Sequence, residues 1–285
     1  MEVGGLFNIS KKNIQYFQAA GLFNTVGGSV KGIQAAGVQN LVFDSVHGFQ
    51  AAGVSNYVKG KFRGLQTAGV YNHVSDSVKG VQIAGVANFS KRTVNGVQIS
   101  GILNYTKKLK GIQIGLINIA DTSEGYSIGL INIIKHGYHK ISVSTNEVTQ
   151  LNIAYKSGNP KLYSILQAGA NLNTDKKLFS FGYGIGRDNK LSNQLSLTTE
   201  LTCNNIYAGT WDYYNLHNKL SLNLQWQPTK KFSVYAGPSF SLLLSDQKTA
   251  VQGYQFPLPS PSYKQFNFGG NATGWLGFTV GVSFL

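Results

Sequence analysis

The sequence predicts an all-β protein, and we expect an antiparallel up-and-down transmembrane β-barrel of about 16–18 strands. Three observations lead to this prediction: a sixteen-residue repeat in the first half, period-two alternation of apolar and polar residues in the second, and charges confined to connections. Residues 1–285 would form a single β-barrel domain, with repeat wall strands in 1–135 and non-repeat strands in 136–285. An N-terminal β-solenoid followed by a C-terminal β-barrel is the alternative.

The repeat is clearest in two neighbouring copies, VKGIQAAGVQN from Val30 to Asn40 and VHGFQAAGVSN from Val46 to Asn56. The shared pattern is Gly-x-Gln-x-Ala-Gly-x-x-Asn, spaced by sixteen residues in six copies and by fourteen in the last two. Each copy alternates between two faces, which predicts one strand of about eleven residues. The polar clusters between copies predict tight turns.

Two architectures can align such copies. In a β-solenoid, each copy forms one coil and identical side chains stack in parallel; in an antiparallel meander, each copy forms one strand. Folding the chain back about Ser45 sets Asn40 opposite Gln50, so the motif can pair with a reversed copy of itself. This pairing favours the meander, and the solenoid stays open because it also stacks Gln on Gln.

The second half alternates apolar residues with small and polar ones. The pattern is clearest in 179–186, 195–203, 219–227, 232–244 and 274–285. An apolar face opposite a small and polar face, on strand after strand, is typical of a lipid-facing barrel wall. A β-sandwich would show the same alternation with its apolar face turned inward.

Strand counting back from Leu285 separates long connections from short ones. The long segments 208–216 and 245–265 fall on one side, where we expect external loops, and the turns 187–190 and 227–231 fall on the other. No charged n-region followed by an apolar h-region is present, so we expect a mature or truncated form.

Charged residues are excluded from the repeat copies. The windows 32–42, 48–58, 64–74, 80–90 and 111–120 contain no Lys, Arg, Asp or Glu. A soluble solenoid would need charge on its outward faces. Uncharged segments of about ten residues are instead what a membrane-spanning strand requires.

The chain is strongly basic, with 25 Lys and Arg against 11 Asp and Glu and a net charge of +14. The basic residues are spread over successive turns and do not line a groove with interleaved aromatic residues, which disfavours nucleic acid as a partner. We expect outer-membrane lipid, including anionic lipid headgroups, to supply the counter-charge.

The sequence offers little chemistry for catalysis. Cys203 lies on an apolar face and is interpreted as a wall residue. His136 and His139 are spaced like metal ligands but lack a third ligand nearby. Glu200 lies on a polar face without a visible partner, which predicts a solvated carboxylate in the lumen. We expect no enzymatic activity, no metal and no cofactor.

The repeat copies, the segment GIQIGLINIADTSEGYSIGLINI and the Gly-rich aromatic carboxyl terminus resemble the surface-repeat outer-membrane β-barrel proteins of Gram-negative bacteria. The likeness covers Gly5 to Asn132 through the motif and the remainder through general barrel character. It implies a location in the bacterial outer membrane and brings no catalytic residues. Leu285, which follows Phe284, departs from the usual terminal aromatic residue.

The leading functional expectation is a non-enzymatic, weakly selective, porin-like channel, because a wide barrel leaves a water-filled lumen. The predicted lumen-lining residues are Gln34, Asn40, Gln50, Asn56, Gln66, Asn72, Gln82, Asn88, Gln98, Asn104 and Glu200. The first alternative is a scaffold subunit of a membrane protein complex, which docks another outer-membrane protein. Its partner-facing or lipid-facing small residues would be Gly37, Gly53, Gly69, Gly85 and Gly101. The second alternative is a repeat adhesin exposed at the cell surface.

Overall fold

The structure is a computed structural model that describes residues 1–171, 173, 175–258 and 263–284. All regular secondary structure in these residues is β. The chain divides into two compact units, Met1–Gly137 and Tyr138–Leu285. The first is a parallel β-solenoid and the second contains a closed antiparallel barrel. The all-β class and the solenoid-plus-barrel alternative are confirmed, whereas the first-ranked meander, in which the array supplies barrel wall strands, is wrong.

The solenoid unit contains seventeen strands in one parallel sheet system. A typical coil has a seven-residue strand, a corner, a four-residue strand and a polar turn. The strands are β1 Glu2–Gly4, β2 Phe7–Ser10, β3 Ile14–Ala20, β4 Phe23–Val26, β5 Val30–Ala36, β6 Gln39–Val42, β7 Val46–Ala52, β8 Ser55–Val58, β9 Phe62–Ala68, β10 Tyr71–Val74, β11 Val78–Ala84, β12 Ala87–Ser100, β13 Leu103–Leu109, β14 Ile112–Ile114, β15 Ile117–Ser123, β16 Tyr126–Ile128 and β17 Ile131–Ile134.

The register of the solenoid stacks each repeat residue on its own counterpart. Gln34 pairs with Gln50, sixteen residues on, and the spacing contracts to fourteen where Asn104 pairs with Asn118. The expected pairing of Asn40 with Gln50 is therefore wrong. The physical reason is the bend after the Ala-Gly step, which divides each copy into two strands and returns the chain in the same direction one coil later.

Two glycine positions are required by this close stacking. A Cβ on Gly37, at the corner, would lie 2.0 Å from the carbonyl oxygen of Gly21 in the preceding coil. Gly48 has a φ of +141°, which L side chains rarely adopt, and its Cβ would lie 2.0 Å from the oxygen of Gly32. The repeated glycines therefore allow coils to approach each other at the corner and within the long strand.

The solenoid interior combines apolar columns with the repeat amides. The apolar columns flank the polar turn and consist mainly of valines. Their fully or almost fully buried members are Ile14, Val26, Val30, Val42, Val46, Val58, Phe62, Val74, Val78, Val94, Leu109, Ala120 and Ile134. Burial of this column drives stacking, because no single coil can remove its own apolar face from water.

Eight strands of the second unit close into an antiparallel barrel, because β18 pairs with β26 as well as with β19. A short ninth strand, β25, pairs with one end of β26. The strands are β18 Tyr138–Asn146, β19 Leu151–Asn159, β20 Leu162–Asn171, β21 Leu178–Lys190, β22 Leu195–Tyr207, β23 Asn215–Thr229, β24 Phe232–Ser245, β25 Gln265–Asn267 and β26 Ala272–Phe284.

The barrel connections follow the expected alternation of long and short. The long segments 208–214 and 246–264 separate strands where external loops are predicted, although 259–262 lie outside the described residues. The turn predicted at 227–231 is found at 230–231. The turn predicted at 187–190 is wrong, because these residues extend β21 and pair with β22. The chain reverses at 191–194 instead.

Candidate functional site

The repeat glutamines form a continuous amide ladder inside the solenoid. Gln50 Nε2 donates to Gln34 Oε1 at 2.7 Å, and Gln66 Nε2 donates to Gln50 Oε1 at 2.7 Å. The ladder continues at 2.8–2.9 Å through Gln82, Gln98 and Gln113. These side chains are fully buried. Each amide in the middle of the ladder both donates and accepts, so the buried polar atoms are satisfied by identical neighbours.

The asparagines form a second ladder that runs in the opposite direction. Asn40 Nδ2 donates to Asn56 Oδ1 at 2.9 Å in the following coil, whereas each Gln donates to the preceding coil. Asn40 Nδ2 also donates to the backbone oxygen of Ala51 at 2.7 Å. Each Asn therefore ties its coil to the next one at the corner, which explains why Gly and Asn recur together.

The two ends of the glutamine ladder differ. Gln18 Nε2 donates to Glu2 Oε2 at 2.7 Å, so a carboxylate terminates the ladder in the first coil. At the other end, the buried Oε1 of Gln113 has no hydrogen-bond partner, because the shorter Ser127 occupies the next position of the column. The hydrogen bonds of the ladder therefore continue from Glu2 to Gln113 and stop there.

The prediction that these amides line a wide barrel lumen is wrong. They lie inside the solenoid, where neighbouring coils use their hydrogen-bonding capacity and leave no surface for a permeant. The residues concerned are Gln34, Asn40, Gln50, Asn56, Gln66, Asn72, Gln82, Asn88, Gln98 and Asn104. Their shared role is to hold successive coils in register.

The small-residue row lies on the solenoid surface, along the corner after the long strand. We call this corner the glycine edge: Gly37, Gly53, Gly69, Gly85 and Gly101 with the aliphatic residue that follows each. The glycines are exposed, and Val54, Val70 and Val86 next to them are 38–40 % exposed. The edge has its backbone paired, since Gly53 N donates to Ala36 O at 3.2 Å.

The solenoid charges lie along the other corner, at the polar turn. Parallel pairing places Lys31, His47, Arg63 and Lys79 one above another. We call this the basic edge, and its basic members are Lys11, Lys12, Lys31, Lys59, Lys61, Arg63, Lys79, Lys91, Arg92, Lys107, Lys108, Lys110 and Lys135. Four acidic residues share this edge: Asp44, Asp76, Asp121 and Glu124.

The barrel wall presents apolar side chains outward and polar side chains inward. Leu220, Leu222 and Leu224 are 43–51 % exposed, whereas the alternating Ser221 and Asn223 are buried. The carboxyl-terminal strand repeats the pattern, with Leu276, Phe278, Val280 and Phe284 exposed by 44–66 %. Cys203 is exposed on this outer surface. The predicted division of the strand faces is confirmed.

Glu200 lies inside the barrel and is paired. Its Oε1 atom accepts hydrogen bonds from Lys156 Nζ and, at 2.7 Å, from Tyr163 Oη. All three side chains are buried. The expectation of a solvated carboxylate without a partner is wrong, because its partners lie 44 and 37 residues earlier, on β19 and β20, and reach it across the barrel interior.

A second buried ion pair lies in the same interior. Lys140 Nζ is 3.7 Å from Asp188 Oδ2, and it also lies 4.6 Å from the ring centroid of Tyr138. The Tyr138 ring stacks on Tyr163 with a centroid distance of 4.4 Å. Aromatic contact and ion pairing thus join this pair to the cluster around Glu200.

The remaining interior charges surround Trp275. Trp275 Nε1 and Ser241 Oγ each donate to Glu147 Oε1 at 3.0 Å, and the His217 ring stacks on the indole at 5.4 Å. Lys219 is also buried. A cavity of about 40 Å³ lies between Lys219, Lys156 and Glu200. Three lysines and three carboxylates therefore fill the barrel with compensating charge, leaving room for little more than water.

The sequence did not single out Lys140, Lys156, Asp188 or Glu147 as interior residues. For Lys140 and Lys156 the available signal was a charge on the polar face of an alternating strand, whereas Glu147 lies in a connection and Asp188 stands among other charged residues. The described His, Cys, Asp and Glu residues form no group of three suited to a metal ion. The described residues also contain no helix with the length and apolarity needed to cross a bilayer.

No protein-family model matches this chain. A search of curated proteins likewise gave no match.

Proposed function

We propose that this chain is a non-enzymatic outer-membrane protein in which the barrel spans the bilayer and anchors the solenoid as a scaffold. The observation that supports this most directly is the polarity of the barrel. Its outer surface is apolar, as Leu222 and Phe278 illustrate, while Lys156 and Glu200 are buried inside. A water-soluble barrel has the reverse distribution, because apolar surface is costly in water.

The strand lengths support the same proposal. The eight barrel strands contain nine to fifteen residues. A tilted strand needs about 9–11 residues to cross the hydrocarbon core. The resemblance of the repeat to Gram-negative surface-repeat proteins is the basis for assigning the membrane to the bacterial outer membrane.

A channel function receives less support than a scaffold function. The channel hypothesis depended on a barrel of about sixteen strands, wide enough for a water-filled lumen. The barrel has eight wall strands, and the Lys156–Glu200 pair occupies its interior. We expect the folded protein to give no steady current in a planar bilayer, and a reproducible conductance would restore the channel hypothesis.

As a scaffold, the chain would bind its partner through the surface of the solenoid. Its repeating corners present identical groups at every coil, as expected of a surface that binds along its length. Docking of another outer-membrane protein on the glycine edge would appear as stoichiometric co-purification after mild extraction. In a surface-exposed adhesin, by contrast, the ligand-binding solenoid would have no contact with lipid.

Membrane insertion can be tested by comparing two variants, each with one added arginine: one on the outer barrel wall and one in an exposed turn. Leu222→Arg puts a cation at the middle of β23 on the outer face, and should lower the stability of the folded barrel in lipid by about 2–4 kcal/mol. Asn193→Arg puts the same cation in an exposed turn and should change stability by less than about 0.5 kcal/mol. The measurement is the urea midpoint of the folded band on unheated gels after vesicle reconstitution.

The proposal fails if the two variants behave alike and the unmodified chain stays dispersed without detergent. Such a result would mean that the exposed leucines contact water or protein. A matched loss in both variants would mean that the added charge destabilises the chain regardless of its position, which also counts against contact between Leu222 and lipid.

A further inference from the structure

The solenoid segregates charge to an unusual degree. All thirteen Lys and Arg residues of Met1–Gly137 lie on the basic edge, against four acidic residues there. The only charged side chain elsewhere is Glu2, which terminates the glutamine ladder. Two contacts neutralise part of the edge: Arg92 Nε lies 3.9 Å from Asp76, and Lys108 Nζ lies 2.6 Å from Glu124. A substantial positive surplus remains along one corner.

The rest of the solenoid surface is uncharged and largely apolar. Ile33, Leu65 and Ile83 project from the long strands and are 37–45 % exposed. On the glycine edge, Ile102 is 47 % exposed, and Leu116 in the following coil is 48 % exposed. A row of exposed aliphatic residues that recurs from coil to coil is typical of a contact with a membrane or another protein.

The spacing of these features matches the layers of a lipid leaflet. Lys79 on the basic edge and Gly85 on the glycine edge are six residues apart, which is about 20 Å of extended chain. Half of a hydrocarbon core is about 15 Å thick, and about 20–22 Å with its headgroup layer. The column Tyr57, His73, Phe89 and Tyr105 lies two residues before the basic edge. Aromatic residues are enriched at this level, between acyl chains and headgroups.

The basic edge also has a concave site of suitable chemistry. A depression of about 360 Å³ is lined by Lys61, Arg63, Lys79 and Lys110, together with Asn95. Four cations around one depression favour a phosphate-bearing group. Phe62 and Val78 lie beneath it and are almost fully buried.

We propose that the solenoid inserts as a wedge into one leaflet, with the glycine edge among the acyl chains and the basic edge at anionic headgroups. This inference rests on the proposed membrane location of the chain, and it assigns the glycine edge to lipid in place of a docked protein. The solenoid penetrates one leaflet only, because charges occur at one corner and the opposite corner has none.

Lipid fits this surface better than a protein partner does. The same small and aliphatic groups recur from coil to coil, with no charged group between the basic edge and the glycine edge to fix a partner in one register. The corner backbone is already paired, since Val54 N donates to Val38 O at 2.9 Å and Val70 N donates to Val54 O at 2.9 Å. Paired backbone is the condition for contact with hydrocarbon.

Spin labels on the full chain test this geometry. The native sequence has one cysteine, Cys203, so Cys203→Ser gives a background for Val86→Cys on the glycine edge and Lys79→Cys on the basic edge of the same coil. Vesicles of phosphatidylcholine with phosphatidylglycerol carry the reconstituted protein. We expect collisions with oxygen to exceed those with a water-soluble nickel chelate several-fold at position 86, and the order to reverse at position 79.

The label on native Cys203 reports the barrel separately. If it contacts lipid while positions 79 and 86 both meet the nickel chelate, the wedge is wrong and the proposed function survives. If the Cys203 label itself meets the chelate, the proposed function fails with it. Protection of position 86 from both reagents would indicate a protein contact and would also overturn the wedge.

Discussion

The amide ladder makes a quantitative prediction for one buried glutamine. Gln66 donates to Gln50 Oε1 at 2.7 Å and accepts from Gln82 Nε2 at 2.8 Å. Gln66→Leu keeps the side-chain volume nearly constant but leaves both neighbours with a buried, unpaired polar atom. Each such atom costs about 1–3 kcal/mol, so the local unfolding free energy should fall by about 2–6 kcal/mol.

The end of the ladder provides the matched control. Gln113 donates to Gln98 Oε1 at 2.8 Å, but its own Oε1 has no partner. Gln113→Leu leaves Gln98 Oε1 unpaired but removes the unpaired Oε1 of Gln113, so the number of buried unpaired atoms does not change. It should cost only the net value of one hydrogen bond, about 0.5–1.5 kcal/mol. The difference between the two variants therefore measures the cost of leaving both neighbours of a ladder member unpaired.

Hydrogen exchange, followed by mass spectrometry on the full chain in detergent, can measure the difference in stability between the two variants. Peptides covering β9 and β11 should lose protection by a factor of about 30 or more in Gln66→Leu, because 1.4 kcal/mol corresponds to tenfold. Peptides from the barrel should be unchanged. Equal losses in Gln66→Leu and Gln113→Leu would refute the claim that each ladder amide is stabilised from both sides.

Three further substitutions probe other parts of the fold. Gly53→Ala should destabilise the solenoid by about 1–3 kcal/mol, because its Cβ would lie 2.0 Å from a backbone oxygen of the preceding coil. The control Gly5→Ala should be neutral, because a Cβ there has no atom within 4 Å. Both effects can be measured by the same hydrogen-exchange experiment. Tyr16 has a φ of +74°, a conformation that is unfavourable for L side chains, and its side chain is 77 % exposed. Tyr16→Gly should therefore relieve backbone strain and raise the free energy of local opening of β3 by about 0.5–1 kcal/mol. Lys156→Met should lower the unfolding free energy of the barrel by about 3–5 kcal/mol, because it leaves the charge of buried Glu200 unpaired. The double variant with Glu200→Leu should recover part of this loss. The urea midpoint of the folded gel band measures both effects.

The strand content and the two faces of the barrel wall were accessible from the sequence, because period-two alternation depends only on local order. Leu220 and Leu222 project outward and Ser221 inward, as their spacing predicts. The direction of the repeat strands was not accessible in the same way. A motif with Gln and Asn at its ends and Gly in its middle pairs with a reversed copy about as well as with a parallel one.

A second glycine in the motif contained information that favoured the solenoid. Gly32 and Gly48 precede the ladder glutamine by two residues and adopt positive φ, which an ordinary wall strand does not require. The interior pairs of the barrel were beyond sequence reasoning for another reason. Lys156 lies three strands away from Glu200, so their contact depends on the registers of three successive strand pairs, which the local pattern does not specify.

The opposed directions of the two amide ladders have a consequence for the length of the array. Each chain of aligned amides has a dipole that grows with every added member, as peptide dipoles do along a helix. Because glutamines point their donors toward one end and asparagines toward the other, the two contributions largely cancel in each coil. A coil can therefore be inserted or deleted without building up an electrical polarity along the array, so that repeat number is free to vary.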